Sequence, residues 1–455
     1  MEFVNILEKQ RAFLKSGTTI DYKYRVKYLK KLRSAILNYN DKISEALHYD
    51  LGKSVTEAYM TEIGLVLDDI RYQLKHLKKM VKPRPVKTPV AQFKSKSFRY
   101  PSPYGNVLII APWNYPFLLS LGPLVGAISA GNTVMLKPSE FSEKTSAVIK
   151  EMLDGVFESE YVYTVLGDSK VAEALLKEKY DYIFFTGGTK IGKIVYKCAS
   201  ENLTPVTLEL GGKSPVIIDK TAKIDLAAKR VVFGKFLNCG QTCVAPDYIL
   251  VHNSVKDEFI NHLIKWVKHM YKDALINDQY GHIINERHFN RLVSYIEKDK
   301  VAFGGRSDIS SLKIEPTILY PVDKNIKAMQ EEIFGPILPV LTYDTTEEML
   351  NIIEEHRTPL ALYLFTTNKE MEKKILSSVS FGGGCINDTI IHLATSEMPF
   401  GGVGNSGIGG YHGKYSFYEF SHYKSIVKKA NWLDLPMRYA PYTKGKEKMI
   451  KKFLK

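Results

Sequence analysis

Cys243 is the residue whose type and setting could do the most chemistry, because a thiol becomes a nucleophile once it has thiolate character and access. It stands in KFLNCGQTCVAPDY, Lys235 to Tyr248, after Gly240, Gln241 and Thr242, a run that predicts an accessible turn. Thiolate character needs nearby positive charge or helix-end amides, whereas an inert core cysteine needs neither. Taken alone, the segment reads as the structural kind. Upstream, VTLELGGKSPVI (Val206 to Ile217) sets Glu209 in an otherwise apolar strand. Desolvation there raises a carboxyl pKa toward the working range of a general base, and the same setting also suits a buried structural carboxylate. Both readings stand at this point.

Two further segments could hold a phosphate-bearing ligand. IFFTGGTKIGK, Ile183 to Lys193, reads as a strand followed by glycines that open a helix. Such a turn lets backbone N–H groups and a helix N-terminus face a pyrophosphate. Its spacing is not G-x-G-x-x-G, and close packing alone explains a glycine-rich turn equally well. LKPSE, Leu136 to Glu140, lies at the carboxyl end of another predicted strand, where ligands of doubly wound sheets bind. Lys137 and Glu140 could hold a ribose there. The plainer reading is a surface turn in which Pro138 stops the strand and Ser139 caps the next helix.

The elements that must position these residues follow from periodicity. Tyr24, Tyr28, Leu32, Ile36 and Tyr39, and again Leu65, Leu67, Ile70, Leu74 and Leu77, have helical spacing. Lys82 to Tyr104 carries five prolines and breaks that pattern as a linker or hairpin. Short apolar runs then alternate with helix-length segments: Val107 to Ile110, Thr133 to Leu136, Val162 to Leu166, Tyr182 to Phe185 and Pro205 to Leu208. These are βαβ units of a parallel sheet. A second alternating stretch starts at Ser214 and includes Ile217, Ile249 to Val251, Ile337 to Leu341 and Ala361 to Phe365, with the border at Gly211 and Gly212. Lys424 to Lys429 is a candidate edge strand for pairing between subunits.

The expected fold is therefore α/β: a doubly wound parallel-sheet dinucleotide-binding domain, a second α/β catalytic domain and a small β oligomerisation element. The expected division assigns 1–81 and 105–210 to the first, 211–410 to the second, 82–104 and 411–430 to bridging strands, and 431–455 to a basic tail.

Composition narrows the class. The 455 residues, 45% hydrophobic and 25% charged, suit a soluble globular protein of two or three domains. MEFVNILEKQ lacks the features of a secretory signal, and Tyr115 to Ala130, interrupted by Pro116 and Pro123, reads as a buried helix. Four cysteines are too few for a disulfide framework and fit a reducing cytoplasm. Cys239 and Cys243 have no second pair at ligand spacing, so no metal site is expected. From Lys424 onward ten cationic residues face only Asp434 and Glu447, which leaves eight of the net +14 in the tail. The tail is either solvated or a contact for an anionic membrane surface into which Trp432, Met449, Ile450, Phe453 and Leu454 could insert. No nucleic-acid motif accompanies the charge.

Seven segments in order carry a resemblance: APWNYP (Ala111 to Pro116), KPSE, FTGGTKIGK, LELGGKSP, NCGQTCVAPDY, EEIFGP (Glu331 to Pro336) and MPFGGVGNSGIG (Met398 to Gly409). Over nearly its whole length the chain resembles the aldehyde dehydrogenase superfamily, in particular its class-three branch. The resemblance implies Cys243 as nucleophile, Asn114 as the oxyanion-hole side chain and Glu209 as the base for thioester hydrolysis, with Glu332 its rival. It puts Lys137 and Glu140 on the adenosine ribose, Gly187, Gly188 and Gly192 around the pyrophosphate turn, and Glu332 with Phe334 beside the nicotinamide.

Trp113 counts among the cofactor-binding residues, and with Tyr115 could instead line the substrate tunnel or pack as core. Glu140 favours NAD by repelling a 2′-phosphate, while class-three relatives often accept NADP as well. Gly188 stands where many members have serine. A homodimer is implied, and the apolar surroundings of Asn114 point to medium or long aliphatic, aromatic or polyene aldehydes. His392, His412 and Cys239 read as structural.

Three other readings compete. A coenzyme-A-dependent acylating enzyme would not need Glu209. A non-catalytic protein on the same fold would have lost Cys243, Glu209 or Asn114, all of which are present. A nucleic-acid binder would need salt-sensitive binding that only the pI suggests.

Overall fold

Continuous runs of Val, Ile, Leu and Phe, with no polar alternation, make strands buried on both faces, and such strands pair in parallel beneath covering helices. The computed structural model describes residues 2–454 and contains two such sheets. The first has the strand order Gly407–Ile408, Val206–Glu209, Tyr182–Thr186, Asn106–Ile110, Thr133–Lys137, Val162–Thr164. All its neighbours are parallel except Gly407–Ile408, which runs antiparallel to Val206–Glu209. Strand order reverses between Asn106–Ile110 and Tyr182–Thr186, and in doubly wound sheets the ligand crevice opens at such a point, outside the carboxyl ends of the strands.

The expected strands are present with shifted limits. The strand expected over Pro205 to Leu208 spans Val206–Glu209, so Glu209 ends it instead of following it, and the strand expected to reach Leu166 stops at Thr164.

Helices Tyr22–Asn38 and Gly64–Met80 pack on Pro116–Ala130, which lies against one face of this sheet, while Glu2–Lys15 packs on the other. Tyr22–Asn38, whose N-terminus is capped by Asp21, buries Leu29, Leu32 and Ile36, and Gly64–Met80 buries Ile70 and Leu77. Pro116–Ala130 is the expected buried helix, with Pro at its first position, where no intrahelical N–H is needed. No helix among the described residues is long and apolar enough to cross a membrane.

The second sheet has seven strands in the order Val301–Phe303, Thr317–Leu319, Ile337–Tyr343, Tyr248–His252, Pro215–Ile218, Ala361–Phe365, Gly383–Ile386. It is parallel apart from the first of these. A third, antiparallel sheet joins Arg84–Val86, Ser95–Pro103 and Ser421–Lys429. The expected linker at Lys82 to Tyr104 is thus a hairpin. The expected edge strand is longer than Lys424 to Lys429, pairing from Ser421 with Pro103 through Lys429 with Ser95. The basic tail includes a ten-residue helix, Lys444–Phe453.

Candidate active site

The nucleophile segment is shaped by backbone conformation. Helix Ile224–Phe236 ends and the chain turns through Asn238, Cys239 and Gly240, all with positive φ (51°, 54° and 72°). A Cβ on Gly240 would lie 2.3 Å from the Gly335 carbonyl oxygen, so only glycine lets the two segments cross here. Gln241, fully buried, then locks the turn. Its Nε2 donates to Asn238 O at 3.2 Å and His282 O at 3.0 Å, and its Oε1 accepts the Ile284 N–H at 3.0 Å.

Cys243 follows this turn and lines a cavity of about 190 Å³ whose walls are almost entirely apolar, including Met60, Leu118, Phe233, Leu393 and Phe400. Tyr115 also faces this cavity, its hydroxyl 2.7 Å from Thr242 Oγ1. Asn114 donates from Nδ2 to Gln241 O at 3.0 Å, which ties the amide to the nucleophile turn.

The electrostatics at the thiol differ from the sequence expectation. Burial first, then the carboxyl groups of Glu332 and Glu209, push the Cys243 thiol up to about 12, against the smaller effect of the Cys243 and Val244 backbone amides. The thiol is therefore held protonated, and the charges of both carboxyl groups add to that.

Glu209 is 2% exposed, and neither of its oxygens has a hydrogen-bond partner among the described residues. Burial, with Glu419 as a further negative neighbour, raises its pKa well above the usual carboxylate range. Burial also pushes Glu332 up to about 8, with Asp247 adding to the rise and the Gly212 N–H opposing it.

The EEIFGP segment bearing Glu332 is anchored by a buried ion pair, Lys213–Asp247. Lys213 Nζ also donates to Ala328 O and Glu331 O, both at 2.9 Å, and Asp247 accepts the Ile333 N–H at 2.9 Å. These two residues lie inside the LELGGKSP and VAPDY motifs but carried no recognised role in the sequence reading. Charged residues within apolar runs were the available signal. Lys235, fully buried with no hydrogen-bond partner for its amine, was missed in the same way; burial lowers it to about 8.

On the other side of the crevice, Lys137 Nζ donates to Glu140 Oε2 at 2.9 Å and to Pro138 O at 3.1 Å, at the carboxyl end of Thr133–Lys137. Ser139 does not cap the next helix, as the plainer reading expected. Its hydroxyl accepts from the Phe141 N–H, while Asp50 accepts the first-turn amides of Lys144 and Thr145 at 3.2 and 2.7 Å. Gly188 precedes helix Thr189–Glu201, and a Cβ there would meet nothing within 4 Å, which leaves an open cradle at a helix N-terminus. Gly187 lies over the Phe185 ring, and Gly192, in the helix, packs against Leu210 as the close-approach glycine of the turn.

Trp113 meets Phe334 edge-on at 5.3 Å and His288 at 5.2 Å, on the Glu332 side, whereas Tyr115 faces the cavity. An open helix N-terminus, a donor–acceptor pair at the neighbouring strand end, and an aromatic pair beside a buried carboxyl fit a nicotinamide dinucleotide.

The remaining candidates are structural. His412 stacks on Phe400 and burial lowers it to about 4; His392 is likewise lowered to about 4, its Nδ1 3.6 Å from Cys385 Sγ. Cys239 is packed in the core. Among the described residues no group of three or more His, Cys, Asp or Glu side chains is arranged to hold a metal ion.

The aldehyde dehydrogenase family model matches residues 5–426. The chain belongs to the aldehyde dehydrogenase family. The dehydrogenase is 48% identical to 4,4'-diaponeurosporen-aldehyde dehydrogenase of Staphylococcus aureus over 459 residues, covering 99% of this chain and 100% of that one. It is 42% identical over 440 residues to the dimeric NADP-preferring aldehyde dehydrogenase of Canis lupus familiaris, covering 96% and 97% of the two chains. The substrate-bound AldH of Staphylococcus aureus superposes with a TM-score of 0.98 at 48% identity, over 100% of this dehydrogenase and 99% of that chain. Class-three-like membership, the α/β fold and NAD(P)-dependent, non-acylating oxidation of an aldehyde are thereby established. The acylating, non-catalytic and nucleic-acid readings fall away.

Proposed function

We propose that this dehydrogenase oxidises medium- or long-chain aliphatic, aromatic or polyene aldehydes, with Cys243 as nucleophile, Asn114 as oxyanion donor and Glu209 as hydrolytic base. The observation that carries the substrate class is the apolar cavity that ends on Cys243. It would desolvate a hydrocarbon chain while offering no charged partner to a small polar one. The Staphylococcus aureus relative, named for a polyene aldehyde, supports the same reading.

In this scheme the Cys243 sulfur gives its proton to one of the two neighbouring carboxyl groups in its ionised form and attacks the aldehyde carbon. The oxygen that becomes an alkoxide is met by the Cys243 backbone N–H and by Asn114 Nδ2, whose first hydrogen rests on Gln241 O and whose second is available. Trp113, Glu332 and Phe334 would hold the nicotinamide end of NAD(P)+, which would supply the hydride acceptor. The thioester left on Cys243 is then hydrolysed by a water deprotonated by Glu209. The absence of any protein partner at either Glu209 oxygen favours it over Glu332, which already holds the Gly212 N–H.

Lys137 and Glu140 would hold the adenosine ribose, and Gly187, Gly188 and Gly192 would shape the pyrophosphate turn. Glu140 favours NAD over NADP by charge. A panel of aldehydes of rising chain length, with NAD and NADP in parallel, tests the assignment: kcat/KM is expected to rise with chain length. A tenfold preference for short polar aldehydes would overturn it.

The domain division at 81, 104, 210, 410 and 430 belongs to this proposal, with Gly407–Ile408 lent by the second domain to the first sheet, as does a homodimer formed through the outer edge of Ser421–Lys429, where Ile426 and Val427 are exposed. Four unpaired thiols suit the cytoplasm. The basic tail, with Trp432, Met449 and Leu454 exposed, would make a weak contact with anionic membrane. Light scattering and sedimentation with phosphatidylglycerol vesicles test these two assignments.

A further inference from the structure

Beneath the oxyanion donor lies a pair of charges that the chemistry above leaves unused. Lys53 and Glu62, both with fully buried side chains, form an ion pair of 2.5 Å. Lys53 Nζ also donates to the backbone oxygen of Asn114 at 3.3 Å and stands 3.9 Å from the centroid of the Tyr115 ring. The second oxygen of Glu62 accepts the N–H groups of Phe117 and Leu118 at 2.8 and 3.1 Å, the opening amides of helix Pro116–Ala130. One ion pair thus grips four of the five residues from 114 to 118.

The same carbonyl of Asn114 is held from the nucleophile side. Asn238 Nδ2 donates to it at 2.8 Å and to Gln241 O at 3.2 Å, and the Asn238 N–H is accepted by Glu57 at 2.9 Å. Lys53, Glu57 and Glu62 therefore form one charged unit on the turn and short helices between Leu51 and Gly64. Its last part, Tyr59–Ile63, is a π-helical turn, a feature that recurs at functional sites.

Stability alone does not call for such a pair, because buried ion pairs are often no more stabilising than apolar residues of the same shape. What it does fix is geometry: oxyanion stabilisation depends on donors that are already in place and need no reorganisation.

We propose that Lys53, paired with Glu62, is a positioning residue that holds Asn114 in register with the Gln241–Cys243 turn and so preorganises its amide for the oxyanion. The inference rests on the oxyanion role proposed for Asn114. Lys53 touches neither aldehyde nor cofactor in this scheme and acts through Asn114.

The test compares Lys53→Met, Lys53→Arg, Asn114→Ala and the Lys53→Met/Asn114→Ala double variant in single-turnover NADH formation, using aldehyde deuterated at the carbonyl carbon. Loss of one oxyanion donor slows such reactions by about 10²–10³-fold, so Lys53→Met is expected to slow hydride transfer by about 10–100-fold. A primary deuterium isotope effect should emerge in kcat, cofactor Kd should be unchanged, and Lys53→Arg should recover most of the rate. The double variant should be no slower than Asn114→Ala alone, as expected for two residues acting through one interaction.

Multiplying losses in the double variant would overturn the proposal, as would an equal weakening of cofactor binding. Fast hydride transfer in Lys53→Met beside a slow Asn114→Ala would overturn it while leaving the oxyanion role intact; fast transfer in Asn114→Ala would remove both. If Lys53→Met does not fold, Lys53→Met/Glu62→Gln, which removes both charges of the pair and keeps an acceptor for the Phe117 amide, carries the same comparison.

Discussion

Gly211 makes room for Glu332: a Cβ on residue 211 would lie 2.2 Å from Glu332 Oε2 and 2.5 Å from Oε1. The two come from different motifs, LELGGKSP and EEIFGP, and their contact limits where the Glu332 carboxyl can sit. Gly211→Ala should push the Glu332 carboxyl out of place. The atoms met are the far end of a flexible side chain, so the cost to the fold is small, whereas small misplacements of reacting groups lower rates by up to about 10²-fold. The expected outcome is a modestly lower Tm, a kcat at least about tenfold lower and a raised KM for NAD(P), read by thermal melting and steady-state kinetics.

Glu209→Gln separates the two half-reactions. If Glu209 activates the hydrolytic water, the variant should release a first equivalent of NADH rapidly and then turn over about 10²–10⁴-fold more slowly. Stopped-flow absorbance reads both phases. Unchanged steady-state hydrolysis would transfer the role to Glu332.

The thiol itself offers a pH test whose sign follows from its neighbours. Burial holds Cys243 up at about 12, and Glu332 is the first of the charged groups adding to that rise. Because Glu332 loses its proton at about 8, its negative charge faces the sulfur throughout the range in which the thiol ionises. Removing it must favour the thiolate. In Glu332→Gln the pH midpoint for alkylation of Cys243 by iodoacetamide, followed by mass spectrometry, should shift to lower pH; a shift upward would contradict the assigned electrostatics.

Gly188 has ordinary extended backbone angles, φ −73° and ψ 147°, and open space where a side chain would stand. Gly188→Ser adds a hydroxyl at a helix N-cap, which stabilises the helix by a few tenths of a kcal/mol over glycine. One hydrogen bond to a phosphate oxygen is worth about 0.5–1.5 kcal/mol. Tm should hold or rise, and the Kd for NAD should fall about 3- to 10-fold in fluorescence titration.

The strands of both sheets could be read from the sequence because a parallel strand buried on two faces is apolar throughout, whatever its partners are. The site was less legible, since it depends on contacts between distant segments. Cys243 alone reads as structural, and its environment in the fold, dominated by burial and two carboxyl groups, would not have corrected that reading; only its company with Asn114 and Glu209 does. Ser139 has the sequence of a helix cap, but Asp50 takes the amides instead, and nothing near Ser139 announces it. Lys53 and Glu62 lie in a helical region where charges are ordinary on the solvated face. Their burial arises only when Pro116–Ala130 packs above them.

Because Gly407–Ile408 pairs with Val206–Glu209, the sheet that carries Glu209 is completed by chain made long after its other strands. During synthesis, a ribosome that has just exposed Cys243 holds a polypeptide whose Glu209 still sits on an open β-edge and whose Glu332 has yet to be translated. The thiol thus leaves the ribosome with Asn114 and Glu209 already made, but before Glu332 and before the strand that closes the sheet edge beside Glu209.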